Sequence, residues 1–286
     1  FENSDYGLYG YYADQVTADH CNFYNNIEGA RMTDTTPNFT NCVFQGNTSK
    51  GLFIDNCTSP YIGTGNDFSD NTTGLHIRNS ADPSVDLQQP VTGCSNGVWF
   101  EDCSNPVIAS GNSFIDNTTH GLAFTDCSGL GTIDGLTFTG NGDFGSMLIK
   151  NSGDFLLGGS IVNTGNNFPL TINPGSFPDA SSVIPTTGNT NNDIRVTSGN
   201  CYTTGTWPDF VDLDYVVTET PNIQVSGILN IADGNTVRFD RNRGITCYGI
   251  VNGLGASRSG ISFILNDVTG TWDYIYFTSS GQGNFS

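Results

Sequence analysis

The sequence predicts an all-β solenoid, in which the chain winds through stacked coils of short parallel strands. Three observations predict it: a glycine recurs every 22 to 24 residues, the residues after each glycine alternate between apolar and polar, and turn-forming residues interrupt the chain every few positions. A coil of this length, made of two or three strands joined by tight bends, is one turn of a parallel β-helix. The repeat glycines are Gly7, Gly29, Gly51, Gly74, Gly97, Gly121 and Gly145.

Each repeat glycine opens a strand with one buried face. In G-L-H-I-R-N-S, which starts at Gly74, Leu75 and Ile77 are apolar whereas His76 and Arg78 are polar. We expect equivalent residues of successive coils to stack about 4.8 Å apart, the ordinary spacing between strands. The same pattern occurs in G-L-F-I-D-N-C, G-V-W-F-E-D-C and G-L-A-F-T-D-C, which start at Gly51, Gly97 and Gly121.

A second signature, F-x-x-N, follows in most repeats and predicts two internal ladders. The phenylalanines should form an aromatic column, and the asparagines should form an amide ladder at a bend. The coil from Gly74 to Asn96 lacks the signature and carries D-P-S-V-D-L-Q-Q-P, which suggests a local bulge. The signature pairs are Phe23/Asn26, Phe44/Asn47, Phe68/Asn71, Phe114/Asn117 and Phe138/Asn141.

The cysteines follow the repeat more than they follow a disulfide pattern. Residues at repeat-locked positions that face a core are typically small buried hydrophobes, and stacked cysteines have parallel Cβ vectors, which is poor disulfide geometry. We therefore expect free, buried thiols. One column comprises Cys57, Cys103 and Cys127, a second comprises Cys21 and Cys42, and Cys94, Cys201 and Cys247 follow no column.

The amino-acid composition limits the classes of partner that this chain can bind. The chain has 9 Lys and Arg against 28 Asp and Glu, a net charge of −19, which argues against nucleic acid and anionic membranes. An acidic surface rich in Asn, Thr and Gly is typical of an extracellular protein, often with calcium nearby. There is no C-x-x-C, and the three histidines show no metal-ligand spacing, so no cofactor or metal site is predicted, and bound calcium stays open. No apolar run approaches the 18 residues of a membrane span.

The repeat pattern divides the chain into three parts. Residues 1–168 carry the regular coils, residues 169–206 predict a loop-rich break with one short strand near Ile194–Val196, and residues 207–286 predict a second stretch of looser coils. Both ends lie mid-pattern and lack the polar caps that a solenoid needs. We expect one unit of a longer tandem array, with coils that continue beyond both ends and neighbouring units as partners.

The second stretch carries motifs that resemble a known family. The run from Tyr215 to Phe277, with N-I-Q-V-S-G-I-L-N-I-A-D-G-N-T-V-R-F-D, G-I-V-N-G-L-G-A, I-S-F and W-D-Y-I-Y-F, resembles the opening coils of secreted bacterial right-handed parallel β-helix proteins. The repeats from Gly7 to Phe168 resemble their later coils. The resemblance implies a right-handed coil and a secreted, extracellular or cell-surface location. Members include adhesins, extracellular filament proteins, and polysaccharide lyases and hydrolases.

The strand pattern places an aromatic row on the outward face of the coils. Phe53, His76 and Trp99 each lie two residues after the repeat glycine, on consecutive coils. Such a strip can be covered by a loop of the same chain, bury against another copy, or stack sugar rings. We expect the three side chains to point outward, with Trp99 covered by another chain.

A charged row lies beside the aromatic one. Asp55, Arg78 and Glu101 occupy consecutive coils and predict a cross-strand charge ladder. Asp55 and Glu101 should lie two coils apart, about 10 Å, close to the carboxylate spacing of inverting glycosidases. The ladder is the favoured interpretation, and the glycosidase pattern is retained as the weaker one.

These features favour a structural function. The chain lacks the Asp-Asp pair, G-H-G and R-I-K of pectin-hydrolase-like sites and the Asp cluster of pectate-lyase-like sites, so no catalytic residues and no enzyme activity are predicted. The predicted function is a structural or adhesive segment of a large secreted bacterial surface protein, forming a stiff rod. Its predicted partners are copies or neighbouring units of itself and surface glycans. The alternatives are a carbohydrate-active β-helix enzyme and a glycan-binding module.

Overall fold

The computed structural model describes residues 1–185, 187–254, 260–266 and 270–285. Within these ranges the chain forms short strands and no helix, and each strand pairs in parallel with strands one coil away. The predicted all-β parallel solenoid is therefore confirmed. The last two residues of the motif G-I-V-N-G-L-G-A, Gly255 and Ala256, lie outside the described residues.

The strands of the first part are β1 (Tyr6–Tyr11), β2 (Val16–Asp19), β3 (Asn22–Tyr24), β4 (Glu28–Thr33), β5 (Pro37–Thr40), β6 (Val43–Gln45), β7 (Lys50–Asp55), β8 (Tyr61–Ile62), β9 (Thr73–Arg78), β10 (Ser84–Val85), β11 (Pro90–Thr92), β12 (Asn96–Glu101), β13 (Val107–Ile108), β14 (Ser113–Ile115), β15 (His120–Thr125), β16 (Thr132–Ile133), β17 (Thr137–Thr139), β18 (Gly145–Lys150), β19 (Gly153–Leu157) and β20 (Val162–Thr164). Those of the second part are β21 (Leu170–Ile172), β22 (Ser176–Pro178), β23 (Ile194–Val196), β24 (Gly199–Cys201), β25 (Thr204–Trp207), β26 (Tyr215–Val217), β27 (Pro221–Ile223), β28 (Ile228–Ala232), β29 (Thr236–Phe239), β30 (Ile245–Cys247), β31 (Ile250–Leu254), β32 (Ser262–Leu265), β33 (Ile275–Phe277) and β34 (Gln282–Phe285).

One sheet runs along the whole molecule and carries both predicted outward rows. It has 12 strands in the order β1-β4-β7-β9-β12-β15-β18-β21-β23-β26-β29-β32. Between its two end strands the apolar residues of one face, such as Leu52 and Ile54 of β7, are buried in the core. The other sides of the coils form shorter sheets, among them the 5-stranded β13-β10-β8-β5-β2 and the 4-stranded β25-β28-β31-β34.

The repeat glycines are required because the next coil approaches too closely for a side chain. A Cβ on Gly51 would lie 2.6 Å from the carbonyl oxygen of Gly74 and 2.8 Å from the Asn71 amide nitrogen. A Cβ on Gly97 would overlap the carbonyl oxygen of Gly121. Backbone hydrogen bonds hold the coils about 4.8 Å apart, so neither coil can retreat.

Gly145 is an exception to the glycine column. The strand register places it opposite His120, so residue 146 rather than residue 145 continues the column. Its φ is +80°, and a Cβ there would overlap the carbonyl oxygen of Phe168. The expectation that Gly145 belongs to the column is wrong, because one residue is inserted before β18 and a different bend demands this glycine.

The phenylalanine column is confirmed. The rings of Phe23 and Phe44 stack at 4.8 Å, those of Phe44 and Phe68 at 4.9 Å, and those of Phe114 and Phe138 at 5.1 Å. All five are fully buried. In the coil that lacks the signature, the column position belongs to Val91, which pairs with Phe114.

The asparagine ladder is also confirmed, and Asn117 illustrates its hydrogen bonds. Its amide nitrogen donates to the carbonyl oxygen of Val91 at 3.0 Å and to Oδ1 of Asn141 at 3.0 Å. Its Oδ1 accepts the backbone N–H of Cys94 at 3.1 Å. Each asparagine thus satisfies buried backbone groups of the preceding coil, which would otherwise be costly to bury.

Cys94 occupies the asparagine position in the coil that lacks the signature. Its thiol donates to the carbonyl oxygen of Phe68 at 3.1 Å, as the Asn71 amide does to the carbonyl oxygen of Phe44 one coil earlier. The expectation that Cys94 follows no column is therefore wrong. The F-x-x-N signature does not reveal that Cys94 continues the asparagine ladder, because a thiol replaces the amide there.

The cysteines are free thiols, as predicted. All are buried except Cys21, which is partly exposed. Burial raises the pKa of the Cys94 and Cys201 thiols to about 11 and raises that of Cys57. Buried, protonated thiols of this kind are poor nucleophiles.

We expect Cys57, Cys103 and Cys127 to resist alkylation in the folded protein, because they lie in one buried column. Iodoacetamide should label all three in denaturant without any reductant, and mass spectrometry reads the label. A disulfide between any two of them would contradict the prediction.

Residues 169–206 do not interrupt the long sheet. Strands β21 and β23 continue its ladder from β18 to β26, and β23 is the strand predicted at Ile194–Val196. The predicted break is thus wrong for the sheet, because three residues per coil suffice for pairing while the polar residues lie in turns. The division of the chain at 168 and 207 stays a prediction.

Candidate functional site

Both predicted rows stack in register on the outward side of the long sheet. Phe53 pairs with His76 and His76 with Trp99, while Asp55 pairs with Arg78 and Arg78 with Glu101. The aromatic row continues in both directions as Tyr9, Arg31, Phe53, His76, Trp99, Ala123 and Leu148, and the charged row as Tyr11, Thr33, Asp55, Arg78, Glu101, Thr125 and Lys150.

The aromatic row points outward but is not an exposed strip. Phe53 is only 3% exposed, because cationic side chains lie over its ring. The guanidinium carbon of Arg31 lies 4.6 Å from the ring centroid and the Lys50 ammonium 4.7 Å, with Arg78 at 5.3 Å. The Phe53 ring is thus covered by cation–π contacts with Lys50 of its own strand and with Arg31 and Arg78 of the two neighbouring coils.

His76 lies between two aromatic rings. Its ring stacks on Trp99 at 4.3 Å and contacts Phe53 at 5.1 Å, and the residue is 5% exposed. Burial, with the nearby Lys50 and Arg78 charges, lowers the pKa of His76 to about 3. The imidazole is therefore neutral at neutral pH, and its Nε2–H donates to Glu101 at 3.0 Å.

Trp99 is more open than Phe53 and His76 and is half-buried. Its indole N–H donates to the hydroxyl of Thr125 at 3.2 Å, on the next coil. The predicted contact of Trp99 with another chain stays a prediction.

The charged row forms ion pairs that differ in part from the predicted ladder. Arg78 binds both carboxylate oxygens of Asp55, at 3.1 and 2.8 Å, and Asn79 donates to Asp55 at 3.0 Å. Because Arg78 leans toward the preceding coil, Glu101 contacts His76 instead of Arg78. The Asp55–Arg78 part of the ladder is confirmed, and Glu101 belongs to a different contact.

The two carboxyl groups have opposite pKa shifts. The Arg78 guanidinium lowers the pKa of Asp55, whereas burial raises the pKa of Glu101. They lie two coils apart, which corresponds to about 10 Å between strands. Environments that push two carboxyl pKa values apart are one arrangement that supports acid–base chemistry.

Sequence reasoning missed a third outward row. Glu28 is buried, and its carboxylate accepts hydrogen bonds from Nε and Nη2 of Arg31, at 2.7 and 2.8 Å. The Lys50 ammonium lies 3.6 Å from the same carboxylate. Glu28 and Lys50 each directly precede a repeat glycine, and this position could have revealed them. The row consists of Tyr6, Glu28, Lys50, Thr73, Asn96 and His120.

The described part of the chain contains no cluster of three or more His, Cys, Asp or Glu side chains placed to hold a metal ion. No calcium site is located, and bound calcium stays an open expectation. None of the described segments forms a helix with the length and hydrophobicity needed to cross a bilayer.

Comparison with known proteins identifies the fold family. The family model described as a right-handed β-helix region matches residues 6–168, more than half of the chain. No curated protein and no solved structure matches the chain. With its stacked parallel coils and the matched residues, this chain belongs to the right-handed β-helix family.

Proposed function

We propose that this chain is a non-catalytic, rigid segment of a secreted bacterial surface protein of the adhesin or filament type. Its role would be mechanical: to hold a long surface in extended form outside the cell. Copies or neighbouring units of the same protein and surface glycans would be its partners.

The continuous ladder of the long sheet carries this proposal. It runs from β1 to β32 through 12 parallel strands, and amide and phenyl columns stack inside the coils of its first part. In a solenoid each coil is stabilised by contact with its neighbours, so an unbroken ladder stiffens the whole length. Across its 11 strand intervals the sheet is about 50 Å long, at about 4.8 Å per interval.

The charges on the long sheet also support a structural role. Glu28 is bound by Arg31, Asp55 by Arg78, and Glu101 contacts the neutral His76. The two ion pairs neutralise their charges and stabilise the sheet face, and the hydrogen bonds of all three carboxyl groups would have to break before they could serve a substrate.

A polysaccharide depolymerisation assay tests the proposal. We expect no new reducing ends and no unsaturated products from acidic or neutral polysaccharides, for the wild type and for Asp55→Asn alike. A measured turnover that Asp55→Asn or Glu101→Gln abolishes would overturn it.

The second candidate is a carbohydrate-active enzyme, and one observation favours it. The opposite pKa shifts of Asp55 and Glu101, on strands about 10 Å apart, resemble those of the base and the acid of an inverting glycosidase, whose carboxyl groups lie about 6.5 to 9.5 Å apart. In that case Glu101 would protonate the leaving oxygen and Asp55 would activate water. Arg78, which occupies the intervening strand, would have to release Asp55 first.

A further inference from the structure

A groove of about 500 Å³ lies on the outward side of the long sheet, where the register of the aromatic row continues through Thr171 to Arg195 and Val216, four and five strands beyond Trp99. Val216 of β26 lines it and is itself almost fully buried. Asn167 and Asn191 reach it from just before β21 and β23, while Asp240 and Asn266 reach it from just after β29 and β32. The groove therefore crosses the sheet from the start of some strands to the end of others.

Arg195 fixes the shape of this groove. Its side chain is 13% exposed, and its Nη1 donates to the carbonyl oxygen of Asp143 at 2.7 Å, two strands away in the sheet. Its Nε donates to Thr218 at 3.0 Å, and its guanidinium lies over the rings of Phe144 and Phe168 at 4.8 and 5.6 Å. The groove is thus pre-formed, and a ligand would not have to order it.

Polar side chains of the groove are held in place and keep hydrogen-bonding capacity. Asn191 donates one amide hydrogen bond to Asn167 at 2.9 Å, and Asn167 donates to the Asp143 carbonyl at 3.0 Å. Asp240 accepts from Asn266 at 2.8 Å through one oxygen. A primary amide has two donors and an acceptor, and a carboxylate has two acceptor oxygens, so these bonds use only part of each group.

The chemistry of the lining selects the ligand class. Arg195 is paired with Asp143, and Ser198 lowers the pKa of Glu219, which is therefore ionised. The lining carries three carboxylates, Asp143, Glu219 and Asp240, against two guanidinium groups, Arg195 and Arg243, so together with the net charge of −19 of the whole chain it would repel a polyanion. Alternating amide, carboxylate and guanidinium groups match adjacent hydroxyl groups, which both donate and accept.

We propose that this groove binds a neutral polysaccharide through pairs of adjacent hydroxyl groups. The proposal rests on the proposed function, which names surface glycans among the partners, and it adds the site and the class of glycan. The groove shares no lining residue with Phe53, His76 and Trp99, so glycan binding at the groove and glycan binding at the aromatic row can be tested separately.

Affinity gel electrophoresis tests the groove, with glucomannan, arabinoxylan or mixed-linkage β-glucan in the gel as neutral probes and polygalacturonate as the anionic one. At least one neutral polysaccharide should retard the wild type. Asn191→Ala and Asp240→Asn should each weaken that binding about ten-fold, the size expected for one lost hydrogen-bonding group. Circular dichroism and thermal melting establish that the variants are folded.

Asn252→Ala is the matched control. Asn252 also donates to an asparagine of the preceding coil, Asn230, at 2.9 Å, but it lies on a different sheet. This variant and Trp99→Ala should bind like the wild type. Failure of every neutral probe, retardation by polygalacturonate alone, unchanged binding by Asn191→Ala, or loss of binding in Trp99→Ala would each overturn the proposal.

Discussion

Replacing Gly51 by alanine should destabilise the fold by about 3 kcal/mol, the upper part of the range for overpacked sites. The new Cβ would lie 2.6 Å from the carbonyl oxygen of Gly74 and 2.8 Å from the Asn71 amide. Both neighbours are fixed, since the coils are joined by backbone hydrogen bonds and Asn71 donates to the carbonyl of Phe44 at 2.7 Å. The midpoint of urea unfolding measures the effect.

Gly131→Ala is the matched control for Gly51→Ala. A Cβ on Gly131 meets no atom within 4 Å, and its backbone lies outside the left-handed region. Alanine there should be neutral or slightly stabilising, because it reduces the freedom of the unfolded chain. Equal unfolding midpoints for the two variants would refute the claim that close approach of the coils demands the repeat glycines.

The second large effect is a loss of stability in acid caused by His120. This residue is buried, and neither ring nitrogen has a hydrogen-bond partner among the described residues. Burial, aided by the Lys150 charge, lowers the pKa of His120 to about 4, whereas an unfolded histidine titrates near 6.5.

The direction in which stability changes with pH follows from proton binding. Between about pH 6.5 and pH 4 the unfolded chain binds a proton at this histidine and the folded chain does not, so stability falls as the pH falls through this window. The shift from about 6.5 to about 4 corresponds to about 3 kcal/mol. His76, whose pKa is lowered to about 3, adds to the loss and extends it to lower pH.

His120→Phe should remove the His120 part of this acid sensitivity. Phenylalanine fills similar space without buried polar atoms, so stability at pH 7 should be equal or higher. Urea unfolding at pH 7 and pH 4.5 should show a smaller difference for the variant than for the wild type, by 2 to 3 kcal/mol. An unchanged difference in His120→Phe would refute the assignment.

The sequence alone determined the solenoid, its coil length and the register of its main columns. In stacked coils, residues at the same repeat position must lie above one another, so a period read from glycines also predicts which side chains touch. Counting residues from the repeat glycines predicts that Phe44 stacks on Phe23 and that Trp99 lies beside His76. The same reasoning failed at Gly145, where one inserted residue shifted the count, and at Cys94, where a thiol replaced the expected amide.

Only the tertiary structure decided what happens on the outward side of the long sheet. The position of Phe53 followed from the sequence, but its burial depends on the side-chain directions of Lys50 on its own strand and of Arg31 and Arg78 on the neighbouring strands. The pairing of Glu101 with His76 likewise depends on which way Arg78 leans. The groove at Arg195 depends on a contact with Asp143, 52 residues earlier. A repeat pattern specifies which positions stack, whereas a long side chain reaches several neighbours, and only packing in three dimensions selects among them.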